Sequence, residues 1–180
     1  LNREKLVAEI ISYDSTHVEE LEYKRRFLDL LFHVDCFERS LSHGHITASA
    51  WVLHPEEESV VLLHHKKLNR WLQPGGHADG DEDVVRVALK ELEEETGLTD
   101  VDWLREGIFD LDIHRIPARK ADPAHEHYDV RFAFVARQPD QLLKNEESNE
   151  LAWIPLTELE SYVDGEASIL RMRDKSLALR

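Results

Sequence analysis

The sequence predicts an α/β fold with a mixed sheet. Three observations carry that reading. Segments of period two and of period 3.6 alternate along the 180 residues, so strands and helices are interleaved. Hydrophobic residues make up 42%, enough to pack a core and to exclude wholesale disorder. No apolar run approaches the ~18 residues that would span a bilayer. The length suits one domain. Residues 1–40 read as a helical extension, because two helices cannot bury a core alone. Residues 41–180 read as the main domain.

Residues 2–13 have helical spacing, with Leu6, Val7, Ile10 and Ile11 on one side. Tyr13-Asp14-Ser15 breaks the run, and Thr16 with Glu19 has the spacing of a capping box. A second helix is expected to about Val34, with Leu21, Phe27, Leu28, Leu31 and Val34 inward. The period then changes. Ile46–Leu53 and Val60–His64 are β-rich, with the polar turn Pro55–Ser59 between them. Residues 72–81 read as a loop. Asp83–Thr96 is a strong helix with the stripe Val84, Val85, Ala88, Leu89 and Leu92. Gly97 follows, where a helix end favours positive φ. Strands are expected near 107–116 and 127–136, flanking a Pro-bearing loop at 117–124, and a short one at Leu151–Ile154. Thr157 and Glu160 repeat the capping-box spacing, and 165–178 suits a terminal helix.

Charge narrows the function. Thirty-seven acidic and 22 basic side chains leave −15. Such a chain repels a nucleic-acid duplex and an anionic membrane. A phosphate-bearing small molecule would need a bound cation to mediate the contact. The single cysteine, Cys36, excludes an internal disulfide framework and a cysteine-built zinc cluster. A reducing, cytoplasmic setting is the expectation.

The chemistry concentrates in 75–98. Gly75-Gly76-His77-Ala78-Asp79-Gly80-Asp81-Glu82 leads into the helix that ends Lys90-Glu91-Leu92-Glu93-Glu94-Glu95-Thr96-Gly97-Leu98. Glu91, Glu94 and Glu95 stand at i, i+3 and i+4, so three carboxylates share a helix face. Each like-charged pair costs a few tenths of a kcal/mol or so, and the helix C-terminus disfavours anions. A hard divalent cation reverses that cost. Oxygen ligands without thiols select Mg²⁺ or Mn²⁺ over Zn²⁺. A solvated acidic face is the competing reading.

The ordered spacing around these acids resembles the Nudix box, G-x5-E-x7-R-E-U-x-E-E-x-G-U. Gly76, Glu82, Glu91, Leu92, Glu94, Glu95, Gly97 and Leu98 match, and Lys90 replaces the arginine. The resemblance implies the Nudix fold, an α/β/α sandwich around a mixed sheet, over roughly 45–160. It implies hydrolysis of a pyrophosphate bond in a nucleoside diphosphate derivative, and cytoplasmic action on a small molecule. It makes Glu91, Glu94 and Glu95 the metal ligands, adds the Gly76 carbonyl as a candidate ligand, and gives Glu82 a supporting place. Lys90 supplies charge without the arginine's planar fork. A further acid from outside the box is expected at Glu147, with Glu146 and Glu150 as alternates. A homodimer is compatible with this reading. The rivals are a nucleotide-sensing module and a diphosphate isomerase on the same fold. All three box glutamates being present weighs against the first, and the location of Cys36 in the extension against the second.

The chain has eleven histidines. Asp110, Asp112 and His114 alternate on one strand, and His125, His127, Asp129 and Arg131 on the next. If paired, their polar faces form one wall. His77, His114, His127 and Arg131 are therefore candidate substrate contacts, against a structural role for the histidines. Zinc on His125 and His127 alone lacks further ligands of recognised spacing. Trp71, Tyr128 and Trp153 are candidates to stack on a base.

Overall fold

The computed structural model describes residues 2–118 and 123–179. The middle of the expected Pro-bearing loop, 119–122, lies outside them. In chain order the elements are α1 (Arg3–Ser12), α2 (Val18–Leu30), β1 (Gly44–Leu53), β2 (Ser59–His65), β3 (Arg70–Leu72), β4 (Gly75–His77), α3 (Val84–Thr96), β5 (Val101–Ile116), β6 (His125–Ala136), β7 (Ser148–Pro155), α4 (Leu159–Tyr162) and α5 (Ala167–Ala178). The strands hydrogen-bond in the order β3-β2-β1-β6-β5, with β4 on β1 and β7 on β2. This is the mixed sheet with helices that the sequence predicts.

Some expectations are corrected. Helix α2 stops at Leu30, so Val34 lies beyond it, 76% exposed, and Leu21 faces solvent. The N-cap of α2 is His17, not Thr16, without a side-chain cap bond, and its N–H donates to the Ser15 hydroxyl at 3.0 Å. Glu158, not Thr157, caps α4. Residues 72–81 are not all loop: the three-residue strands β3 and β4 fall at its edge and within it. Strand β5 starts six residues earlier than expected, at Val101.

The chain divides into two compact units, Leu1–Ser49 with Gly75–Ala88 and Gly107–Phe132, and Ala50–Pro74 with Leu89–Glu106 and Ala133–Arg180. Strands β1, β5 and β6 and helix α3 each contribute residues to both.

In the first unit, β4 pairs antiparallel with β1 through Thr47↔His77, Ala48↔Gly76 and Ser49↔Gly75. The approach is close: a Cβ at Gly75 would stand 2.4 Å from the Ser49 Cβ, so only glycine fits there. Leu6, Ile10 and Phe27 of the extension are fully buried. The carboxylate of Glu20, also buried, accepts from the Tyr13 and Ser15 hydroxyls and from the Leu111 backbone N–H at 3.0 Å. That last bond ties α2 to β5. Phe27 meets Tyr128 edge to face at 5.3 Å, and Arg26 pairs with Glu126. Arg3 pairs with Glu82 at 3.1 Å. Segment 1–40 is thus fastened to β5, β6 and the loop before α3.

In the second unit, β2 pairs antiparallel with β3 and β7, with Val61 opposite Trp153. Val60–Leu63 are almost wholly buried, as a central strand covered on both faces requires. Leu159, Ile169 and Met172 of α4 and α5 are buried with them.

Glu20→Ala should cost about 2 kcal/mol in urea unfolding, because it removes the carboxylate that the buried Leu111 N–H donates to, while the Tyr13 hydroxyl keeps the Phe109 carbonyl at 3.2 Å. Glu20→Gln, which keeps volume and one carbonyl, should cost less. Equal stability of the alanine variant would show that Glu20 does not fasten the extension.

Candidate active site

Helix α3 is held at both ends by its own sequence. The Asp83 carboxylate accepts from the Arg86 N–H at 3.2 Å, an N-cap contact. Asp81 accepts from the Asp83 N–H and pairs with Arg86. At the other end Gly97 takes φ 76° and its N–H donates to the Glu93 carbonyl at 2.9 Å. A Cβ there would lie 2.9 Å from Leu143 Cβ. Thr96 donates to the Leu92 carbonyl at 2.6 Å and accepts from the Leu98 N–H. Leu92 is fully buried, which fixes the rotation of the helix.

That rotation sets the three acids. Glu95 is 9% exposed, the Glu91 side chain 18% and the Glu94 side chain 56%. Lys90 Nζ lies 3.8 Å from Glu91 and 3.6 Å from Glu94, beyond hydrogen-bond length, and is itself 61% exposed. Such a contact is screened and weak. Carboxylates graded from buried to exposed suit a hydrated hard cation such as Mg²⁺, which keeps several waters. Glu147 is exposed, with its N–H on Asn145 at 3.0 Å and its carbonyl on the Lys66 N–H at 3.0 Å. Glu146 and Glu150 are exposed as well.

The first unit holds the predicted polar wall, and more. Arg131, 3% exposed, is surrounded by three carboxylates: Asp129 at 2.8 Å from Nε, Asp110 at 3.2 Å from Nη1 and Asp112 at 3.0 Å from Nη2. Asp129 also accepts from the Thr47 and Ser49 hydroxyls of β1, at 3.1 and 2.8 Å. Arg131 therefore braces the wall from inside. The three histidines do come together. His77 Nε2 lies 3.2 Å from His127 Nε2, the His114 and His127 rings are 5.3 Å apart, and His114 Nδ1 sits 3.2 Å from Asp112. Burial, aided by Arg39 and His45, lowers the His77 pKa from 6.5 to about 4. Burial, with His114 and His77 next, lowers that of His127 to about 2. Both rings are neutral bases at pH 7.

Sequence reasoning missed His45, Thr47 and Ser49, which complete the wall from β1. Their signal is visible afterwards: polar residues at every second position of the β-rich run share one face. Two of the aromatic candidates are otherwise engaged. Tyr128 is 6% exposed against Phe27, and the Trp153 indole donates to the Pro139 carbonyl at 3.0 Å. Trp71 is half-buried between His64 and Tyr162.

With this geometry in place, the comparisons with known proteins fall into one class. The NUDIX domain model matches residues 43–172, well over half the chain. The chain belongs to the NUDIX family. Among similar solved structures, the E. coli dihydroneopterin triphosphate pyrophosphohydrolase has a TM-score of 0.60 at 11% identity, covering 74% of this chain and 95% of that one. A C. elegans Ap4A hydrolase has a TM-score of 0.56 at 18% identity, covering 74% and 96%. A MutT NUDIX hydrolase from Burkholderia pseudomallei has 0.52 at 19%, covering 72% and 96%. These likenesses establish the fold. No curated protein matches the chain. Among the described residues no helix is long and apolar enough to cross a membrane.

Two outcomes test the wall. Arg131→Met leaves three buried carboxylates without their cation and should destabilise by about 3–5 kcal/mol in urea unfolding; a loss under 1 kcal/mol would contradict the bracing role. The depressed histidines set a pH dependence. Between pH 6.5 and 4 the unfolded chain binds protons that folded His77 refuses, so stability should fall on acidification through that window in metal-free buffer. His127→Asn should make the fall shallower, because one of the proton-refusing rings is gone; an unchanged slope would remove His127 from the account.

Proposed function

We propose that this protein is a divalent-cation-dependent hydrolase that cleaves a phosphoanhydride bond in a nucleoside diphosphate derivative. One observation carries the reading: Glu91, Glu94 and Glu95 stand at i, i+3 and i+4 on one face of α3, a spacing that costs helix stability. Glu91, Glu94 and Glu95 hold Mg²⁺ or Mn²⁺, and the Gly76 carbonyl is an oxygen of the same hard kind. When bound, the cation neutralises pyrophosphate charge and lowers the pKa of water. Glu147, exposed on a pinned backbone, takes the proton of the attacking water. His77, His114 and His127, the first and last held neutral, offer uncharged hydrogen-bonding groups to phosphate or leaving group, while Arg131 positions them. The neighbours that act on or bind nucleotides, the Ap4A hydrolase and the Shewanella oneidensis NrtR NUDIX domain complexed with ADP ribose, support the substrate class. A −15 chain fits a small-molecule substrate in the cytoplasm better than a duplex or a membrane.

Glu94→Gln and Glu95→Gln should each lower turnover by about a hundredfold or more while leaving the fold intact. Their stability in metal-free buffer should hold or rise slightly, since like-charge repulsion is relieved. The assay is phosphate release over a nucleotide panel with Mg²⁺ or Mn²⁺, paired with thermal unfolding. Near-parent rates in both variants would refute the glutamate mechanism, and loss of activity through unfolding would make these glutamates structural. Saturating Mg²⁺ or Mn²⁺ should also raise the melting temperature of the parent, which the double Gln variant should not show.

A further inference from the structure

The histidines converge more tightly than a substrate wall needs. One ligand nitrogen from each of His45, His77 and His127 lies within 4.8 Å of the others. These residues come from β1, β4 and β6. His45 is 3% exposed, and neither of its ring nitrogens makes a hydrogen bond of acceptable geometry among the described residues. The Leu41 backbone carbonyl interacts with one ring nitrogen at most, and a buried imidazole with a polar atom unmet is costly and uncommon. His127 shows the complementary problem. Its Nε2 lies 3.2 Å from both His77 Nε2 and His125 Nε2. A single lone pair or a single proton cannot fully serve both neighbours.

A cation among these nitrogens resolves both defects. Two imidazole nitrogens bound tetrahedrally at ~2.0–2.1 Å from zinc stand about 3.3–3.4 Å apart. The observed His77–His127 separation of 3.2 Å is close to that edge. His125 is already oriented as a further ligand. Its Nδ1 is 2.9 Å from the Pro123 carbonyl, which can only accept, so Nδ1 carries the proton and Nε2 keeps its lone pair toward His127. This is the outer contact that metal-bound histidines commonly make.

We propose that His45, His77 and His127 form a binding site for a borderline divalent transition-metal ion of the Zn²⁺ type, with His125 beside it as an adaptable fourth ligand. The site is chemically distinct from the carboxylates of α3. Imidazole nitrogen selects Zn²⁺ and its neighbours over Mg²⁺, whereas carboxylate oxygens prefer the harder ion. His125 and His127 alone are too few ligands for zinc; the fold supplies the missing ones from two other strands. The proposal does not depend on the cation of α3, but it makes His77 and His127 metal ligands in place of direct substrate contacts.

Equilibrium dialysis of the full chain against Zn²⁺ in excess Mg²⁺, with bound metal measured by elemental analysis, tests it. About one Zn²⁺ per chain should be retained. His77→Gln and His127→Gln should each weaken retention at least tenfold, while Glu94→Gln and His114→Gln keep it. Co²⁺ substitution should give the visible absorption of a tetrahedral nitrogen site in the parent and lose it in His77→Gln. His77 is half-buried, so that variant remains informative if His45→Asn fails to fold. Absence of retained Zn²⁺, or retention lost in Glu94→Gln and kept in both histidine variants, overturns the proposal and leaves the glutamate mechanism untouched.

Discussion

The first unit is organised around one guanidinium. Arg131 reaches three aspartates, two on β5 and one on its own strand, and Asp129 passes the connection on to two hydroxyls of β1. Desolvating so much charge is expensive, and such a cluster is weak evidence for net stability. Its consequence is geometric. A one-residue slip of β5 against β6 would turn every side chain of the strand to the opposite face and strand a buried carboxylate. With the register pinned, His114, His127 and His45 are delivered to one place from three strands. The same lock explains why Arg131, although in line with the histidines, faces carboxylates and not solvent.

The helix α3 solves the opposite problem. Under the proposed function, the crowding of Glu91, Glu94 and Glu95 on one face is a demand for a cation. The capping of the helix by Asp83 at one end and the Gly97 turn at the other keeps that demand in a fixed geometry. A ligand set held in advance of binding loses less on ordering when the ion arrives. The N-terminal extension belongs to this design in a different way. Arg3 pairs with Glu82 in the loop before α3, and Glu20 closes the Leu111 N–H of β5.

Most of the fold was legible in the sequence where a period runs long enough to count. Helix α3 and strands β1, β2 and β6 are of that kind. Strands β3 and β4 were not, because three residues carry no period and Gly75-Gly76 reads as a turn. The approach of β4 to Ser49, which requires Gly75, is a tertiary fact. Thr16 and Thr157 have the capping-box spacing, yet the caps fall one residue later, where the chain turns to meet Glu20 in one case and β7 in the other. Of the site, the box acids were legible as a spacing along one helix. The histidine cluster was only half legible. His114 and His127 follow from strand alternation, but His45 reaches them only through the pairing of β1 with β6, which no local pattern encodes.

The central claim, that the chain breaks a phosphoanhydride bond by attack of water, is tested most directly by phosphorus NMR of a dinucleoside polyphosphate and ADP-ribose panel in ¹⁸O-enriched water with Mg²⁺ or Mn²⁺. The account predicts that at least one panel member loses one anhydride linkage and gains two terminal phosphate groups, with ¹⁸O on the phosphorus of one new terminus and none on the other. Unchanged anhydride resonances across the panel with either ion, or cleavage that places ¹⁸O on carbon, would contradict it.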